Sequence, residues 1–123
     1  HDVSLPIEQI PAFMESAEAR LREAYPGVRP YIFGHFGDGN LHYNLSRPAG
    51  APPAWAAEAG AAVTDLVLDE VHRYGGSISA EHGIGQLKRT HFLHTKDPLE
   101  LRLMAGIKRL LDPAGIMTPG KLL

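Results

Sequence analysis

Residues 34–42 have the sequence Gly-His-Phe-Gly-Asp-Gly-Asn-Leu-His, and this stretch decides the predicted fold. Asp38-Gly39 is a strong signal for a two-residue hairpin loop, because a type I′ turn needs a positive φ at both central positions and these residues tolerate it. Counting outward from such a turn pairs His35 with His42. Directly opposed residues on one face have Cβ atoms about 4.5–5.5 Å apart, which is close enough for two imidazoles to share one metal ion.

Alternation divides the two hairpin strands, roughly Arg29 to Phe36 and Asn40 to Ser46, between two faces. One is an ordinary core face, with Ile32, Phe36, Leu41, Tyr43 and Leu45. The other mixes aromatic side chains with metal-type ligands, namely Tyr31, Phe33, His35, His42, Asn44 and Ser46. That second face suits a cavity wall or a surface that another domain covers.

The remaining elements follow from hydrophobic periodicity and from Pro and Gly breakers. In chain order around the hairpin, we predict a strand at Asp2 to Leu5, a helix from about Ile7 to Ala24, a helix at Ala54 to Tyr74, a strand at Ser77 to Ala80, helix-compatible residues from Gln86 to Phe92, a helix from Pro98 to about Leu111, and an irregular tail. This order predicts an α+β fold of the ferredoxin-like split βαβ type, an antiparallel sheet with helices on one face plus an extra C-terminal helix. The length of 123 residues predicts a single domain, 1–123.

Composition excludes several classes of protein. Twelve Lys and Arg against 14 Asp and Glu give a net charge of -2, so we expect no nucleic-acid partner. No apolar run approaches the roughly 18 residues that a membrane span needs. Without cysteine, only His, Asp and Glu remain as common metal ligands. The chain begins at His1 without an initiator Met, so we expect a fragment of a longer protein. We expect the parent protein in the cytoplasm, at most peripheral to a membrane.

A second run, SAEHGIG at residues 79–85, is predicted to meet the hairpin. Glu81 with His35 and His42 would form the His₂Glu ligand set of a zinc-type site with an open position. The adjacent His82 could accept a proton from an acidified hydroxyl, because imidazole titrates near neutrality. The alternatives are two ordinary half-buried histidines and a turn whose glycines serve geometry only.

The predicted topology conflicts with this ligand set. In the simplest ferredoxin-like strand order, the last strand ends at the opposite end of the sheet from His42. Either the topology departs from that order, or Glu81 is not a ligand.

Three motifs together, GHFGDGNLHYN, SAEHGIGQLK and DPAGIMTPGKLL, resemble the C-terminal domain of FAD-linked oxidases of the vanillyl-alcohol-oxidase type. The similarity is strongest to the D-lactate, glycolate and D-2-hydroxyglutarate dehydrogenases. It implies a chain that is the substrate and metal half of a flavoenzyme and lacks its FAD-binding domain. Such a fragment alone is expected to be inactive.

The resemblance also implies roles for individual residues. It assigns a divalent metal, usually zinc, to His35, His42 and Glu81, the general base to His82 and substrate binding to Asn44. The closing Thr118-Pro119-Gly120-Lys121 stands where the family usually has Asn-Pro-Gly-Lys near the flavin, so Thr118 and Lys121 are the implied cofactor contacts.

Two functions are consistent with these features of the sequence. The first is an FAD-dependent oxidoreductase that oxidises a D-2-hydroxy acid by hydride transfer to flavin with metal assistance. The second is a stand-alone ferredoxin-like module that binds a metal or a carboxylate without a redox step. In the first case the partners are a small 2-hydroxy acid and the FAD-binding domain of the same parent chain, and the exposed apolar face also allows a homo-oligomer.

Overall fold

The computed structural model describes residues 1–123, which divide into two compact units, His1–His82 and Gly83–Leu123. The single domain expected from the length stays a prediction. The first unit contains β1 (Asp2–Ser4), a 3₁₀ turn (Ile7–Gln9), α1 (Ile10–Ala24), β2 (Arg29–Phe33), a second 3₁₀ turn (Phe36–Asp38), β3 (Asn40–Ser46) and α2 (Trp55–Arg73).

The three strands form an antiparallel sheet in the order β1-β3-β2. The first strand therefore lies beside the second strand of the hairpin, as a split βαβ unit requires. Together with the helices, this sheet confirms the predicted α+β fold class.

The core of the first unit lies between one face of the sheet and helix α1. Val3 pairs with Leu41, and both are fully buried. Tyr43 on the same face meets Phe13 of α1 edge to face, with ring centroids 5.4 Å apart. The apolar side chains that α1 buries are spaced at helical intervals and form one stripe, Ile10, Phe13, Ala17 and Leu21.

The predicted hairpin register is wrong by two residues. Phe33, not His35, is the partner of His42, and the loop spans residues 34–39 with a 3₁₀ turn inside it. A shift of two residues keeps the side chains that remain in the strands on their predicted faces, so the assignment of Phe33 and His42 to the same face holds. The placement of Phe36 on the core face is wrong, because Phe36 lies in the loop and is exposed. His35 leaves the strand and lies in the loop.

The predicted strand from Ser77 to Ala80 is also wrong, because only an isolated antiparallel bridge forms, between Ser4 and Ser77. Ser4 is also the partner of Asn40, so Ser77 lies on the other side of β1 from β3. The strand order is therefore the simple one, yet the chain leaves the sheet within a few residues of Ser77. Because the chain pairs with β1 only at Ser77 and then leaves the sheet, Glu81 does not lie at the end of a fourth strand. The strand order therefore no longer conflicts with a site that includes Glu81.

The second unit contains two helices, α3 (Arg89–Thr95) and α4 (Pro98–Leu111). Helix α4 has the predicted bounds. The Asp97 carboxylate accepts from the backbone N–H groups of Leu99 and Glu100 at its start, and Pro98 occupies the first turn, where its missing N–H costs nothing. No helix of the protein has the length and apolar character that a membrane crossing requires.

A buried carboxylate joins α1 to α2. Glu70 of α2 is 0% exposed, and it accepts hydrogen bonds from the Ser16 hydroxyl and the Arg20 guanidinium of α1. Burial by itself raises the pKa of Glu70, but these two bonds and the charges of Arg20 and Arg73 outweigh it, so the pKa lies below its ordinary value.

We expect Glu70→Gln to lower the free energy of unfolding by about 1–3 kcal/mol at neutral pH, because the amide presents a donor to Arg20. The Arg20 side chain is 42% exposed and can turn to water, which keeps the loss below that of a fully buried pair. Urea unfolding measures the change, and exposed Glu58→Gln on the same helix is the control.

The difference between wild type and Glu70→Gln should shrink in acid. The folded-state pKa of Glu70 is the lower one, so the unfolded state takes up the proton first, and the ionised form's contribution is lost as the pH falls below about 4. A difference that is absent at neutral pH, or that grows in acid, would contradict this account.

Candidate functional site

The open face of the sheet carries three side chains in a row across its strands. Asp2 of β1 is the partner of His42 of β3, and Phe33 of β2 is the partner of His42 on the other side. The rings of Phe33 and His42 lie with their centroids 5.0 Å apart. Paired residues share a face, so Asp2, His42 and Phe33 all point away from the core that Tyr43 occupies.

The Asp2 carboxylate organises the segment that follows the bridge at Ser77. Its Oδ2 accepts the backbone N–H groups of Ala80, Glu81 and His82 at 3.1, 3.2 and 3.0 Å. Three successive N–H groups directed at one anion form a concave anion-binding turn. The chain therefore turns around Asp2 instead of continuing along the sheet, and this turn brings Glu81 and His82 to the open face.

The electrostatics of Asp2 follow from the same contacts. The side chain is only 10% exposed, and burial by itself raises its pKa. The backbone donors of His82, Ala80 and Glu81 and the charge of the His82 ring outweigh burial, so the pKa of Asp2 is lowered. Asp2 is thus a stable anion that lies 3.3 Å from Nδ1 of His82 and 4.0 Å from Nδ1 of His42.

Glu81 lies on the other side of the turn, against the hairpin loop. Its Oε1 accepts a hydrogen bond from the Asn40 side-chain amide and lies 3.3 Å from Nδ1 of His35. Two ligands bound at about 2.0–2.1 Å to one tetrahedral metal ion lie about 3.3 Å apart. The spacing of His35 and Glu81 therefore matches the spacing that joint ligation requires.

Two of the three predicted metal ligands are thus brought together. No group of three His, Cys, Asp or Glu side chains converges closely enough to hold a metal ion. His42 is half-buried and lies between Phe33 and Asp2, with its ring centroid 6.2 Å from that of His82. The predicted opposition of His35 and His42 across the hairpin is wrong, because His42 pairs with Phe33.

The other predicted site residues are Asn44 in the first unit and Thr118 and Lys121 in the second. Asn44 lies on β3, is the partner of Tyr31 and is exposed, on the same face as His42. It also lines an open cleft of about 390 Å³ together with Arg47 and Trp55. Thr118 and Lys121 belong to the second unit, where both are exposed and the Lys121 N–H donates to the Thr118 carbonyl at 3.3 Å.

Sequence reasoning missed two residues that shape the site, Asp2 and Asn40. Asp2 was assigned only to a strand and Asn40 only to the hairpin, yet each has a buried side chain bonded to the Ala80–His82 segment. The available signal for Asp2 was an acidic residue next to Val3 in a short predicted strand. Its partners lie 80 residues away in sequence, so no local pattern indicates them.

The family model described as FAD linked oxidases, C-terminal domain, matches residues 1–122. The chain belongs to this family.

Similar proteins include D-2-hydroxyglutarate dehydrogenases from bacteria and plants. The chain is 44% identical over 122 residues to the protein of Xanthomonas citri pv. viticola and 39% identical over 122 residues to that of Stutzerimonas stutzeri, in each case over 99% of this chain and 26% of the relative. It is 40% identical over 127 residues to the mitochondrial protein of Arabidopsis thaliana, over 100% of this chain and 21% of the relative. The chain therefore spans about a quarter of the length of these relatives.

The loop that carries His35 depends on two glycines. Gly34 has a φ of 144° and Gly39 a φ of 74°, values that L side chains rarely adopt. A Cβ on Gly39 would also stand 2.3 Å from the carbonyl oxygen of Leu5, and one on Gly34 would stand 2.4 Å from that of Asn40. The loop therefore lies directly against the backbone of its neighbours.

We expect Gly39→Ala to destabilise the protein by about 1–3 kcal/mol, because the new methyl group meets backbone and the φ is strained. Gly37→Ala in the same loop is the matched control, since its φ is not positive and a Cβ there meets nothing within 4 Å. Thermal unfolding compares the two variants. Equal melting temperatures would show that the loop does not need its present backbone path.

Proposed function

We propose that this chain is the substrate and metal half of an FAD-dependent oxidoreductase that oxidises a D-2-hydroxy acid of the lactate, glycolate or 2-hydroxyglutarate type. One observation carries the proposal: the turn around Asp2 presents His82 and Glu81 on the open sheet face in a chain of the FAD-linked oxidase family. The relatives named above are dehydrogenases of D-2-hydroxyglutarate, which supports that substrate class.

Imidazole and carboxylate donors suit a divalent metal, with zinc as the expected ion, and the structure brings two of the three proposed ligands together. His35, His42 and Glu81 would hold it, and the 3.3 Å between His35 and Glu81 supports this assignment. A bound divalent metal supplies Lewis acidity, which lowers the pKa of a coordinated hydroxyl. Asn40 donates to Oε1 of Glu81, the same oxygen that lies 3.3 Å from Nδ1 of His35, and so holds this carboxylate against the hairpin loop.

The reaction removes a proton from the substrate hydroxyl and a hydride from the α-carbon, leaving a 2-oxo acid. His82 is the proposed proton acceptor, because its side chain is 68% exposed on this face and the Asp2 carboxylate stabilises the imidazolium that forms. Asn44 is the proposed substrate-binding residue. FAD is the proposed hydride acceptor, and Thr118 and Lys121 are its proposed contacts in this chain.

The remaining partners belong to the parent protein. FAD would be bound mainly by a separate domain of the same chain, and the face bearing Tyr31 and Phe33 would dock on that domain. These two aromatic side chains are more than half exposed, which supports covering by a partner surface. A homo-oligomer and a location in the cytoplasm, at most peripheral to a membrane, remain proposals. Family membership favours this oxidoreductase over a stand-alone binding module.

We expect His42→Ala to lower the zinc content of the full-length protein, purified without a His tag, to less than about a tenth of wild type, since it removes one of three ligands. The control is His72→Ala, which changes an exposed histidine of α2. Elemental analysis after dialysis gives the zinc-to-protein ratio. Unchanged metal content in His42→Ala would remove this residue from the ligand set.

We expect His82→Ala to lower the turnover of the full-length enzyme by about 10²–10⁴-fold at saturating D-2-hydroxyglutarate, the usual contribution of a general base. Flavin and metal content should stay at the wild-type level. Flavin reduction in a stopped-flow instrument measures the step directly, again with His72→Ala as the control. Turnover within a few-fold of wild type would exclude His82 as the base, and residues 1–123 alone should show no turnover.

A further inference from the structure

We propose that Asp2 is a positioning residue for the proposed site: it holds the Ala80–His82 turn and sets which ring nitrogen of His82 is free. This proposal deepens the function proposed above and rests on it for the metal and the reaction. Asp2 itself is not a ligand or a base.

The first support is that backbone donors already occupy the Asp2 carboxylate. Its Oδ2 accepts three backbone N–H groups and lies 3.4 Å from the Ser79 hydroxyl, and the side chain is buried. An oxygen with these donors has little capacity left for a metal ion or a substrate proton. Its effect on chemistry therefore has to act through the residues it holds.

The second support is the position of Asp2 between the two imidazoles. Both of them face Asp2 with Nδ1, at 3.3 Å for His82 and 4.0 Å for His42. A carboxylate beside Nδ1 favours the tautomer that carries its proton there. In His82, at 3.3 Å, the other nitrogen, Nε2, is then left without a proton, as a base requires.

The third support is that Asp2 cannot move independently of the sheet. Strand β1 pairs with β3 through three consecutive residues, and Ser4 also bridges to Ser77. Val3, between them, is fully buried against Leu41. A carboxylate on this strand is a fixed point, and the turn that binds to it takes its position from the sheet.

The test compares Asp2→Asn with Asp69→Asn in the full-length protein, first without metal. Asp69 is an exposed carboxylate of α2 and serves as the matched control. Loss of the charged acceptor weakens all three N–H bonds, so we expect the amides of Ala80–His82 to exchange with solvent at least about 10-fold faster in Asp2→Asn. Unchanged exchange there overturns the proposal, whatever the metal result.

The second measurement uses the same variants with added zinc and a competing chelator. Loss of a group that orients ligands typically weakens metal binding 10–100-fold, and we expect that loss in Asp2→Asn but not in Asp69→Asn. If wild type binds zinc through His42 and Asp2→Asn binds it equally well, the positioning role is wrong while the proposed function stands. If wild type binds no zinc, the proposed function fails, and the exchange rates alone decide the role of Asp2.

A third measurement needs no variant and remains informative if Asp2→Asn does not fold. The ¹⁵N chemical shifts of the neutral His82 ring in wild type report which nitrogen carries the proton. We expect the proton on Nδ1, a signature that a purely structural role for Asp2 would not require. A proton on Nε2 overturns the proposal.

Discussion

The buried charge of Asp2 is the constraint on which the arrangement of the site depends. A carboxylate removed from water must find donors, or the cost of its burial is several kcal/mol. The backbone of Ala80–His82 supplies those donors, and by doing so it gives up the option of continuing as a strand beside β1. The same bonds therefore end the sheet and build the site. A side chain on the first strand determines where a segment 80 residues later can lie.

One face of the sheet packs into the core and stabilises the fold, and the other face carries the residues of the proposed site. On one face Tyr43 packs against Phe13 of α1, and Glu70 ties α2 to that helix. On the other face His42 lies between Phe33 and Asp2, with no helix of the first unit needed to hold it. Because successive residues of β3 alternate between the faces, the buried Tyr43 fixes the backbone that carries His42. The site thus receives its rigidity from the sheet and its exposed side chains from the loop and the turn.

The sequence predicted the faces of the hairpin but not its register, for a physical reason. Alternation reports which side chains share a face, and a shift of two residues leaves that unchanged. Register is set by the loop, where Gly34 and Gly39 both adopt positive φ and a 3₁₀ turn replaces the expected two-residue turn. The dipeptide signal at Asp38-Gly39 correctly marked a reversal but not its length. The roles of Asp2 and Asn40 depend on contacts distant in sequence, which a single sequence does not reveal.

Under the proposed function, the open face must be completed by something other than protein side chains. Oxidation of a 2-hydroxy acid removes a proton from oxygen and a hydride from the adjacent carbon, so two acceptors must approach neighbouring atoms at once. His82 can accept the proton, but hydride chemistry belongs to cofactors such as flavin. A proton acceptor that is exposed on the same sheet face as the exposed Phe33 therefore has the arrangement expected of one half of a two-sided site. The chemistry itself then explains why this surface remains open while the opposite face is packed.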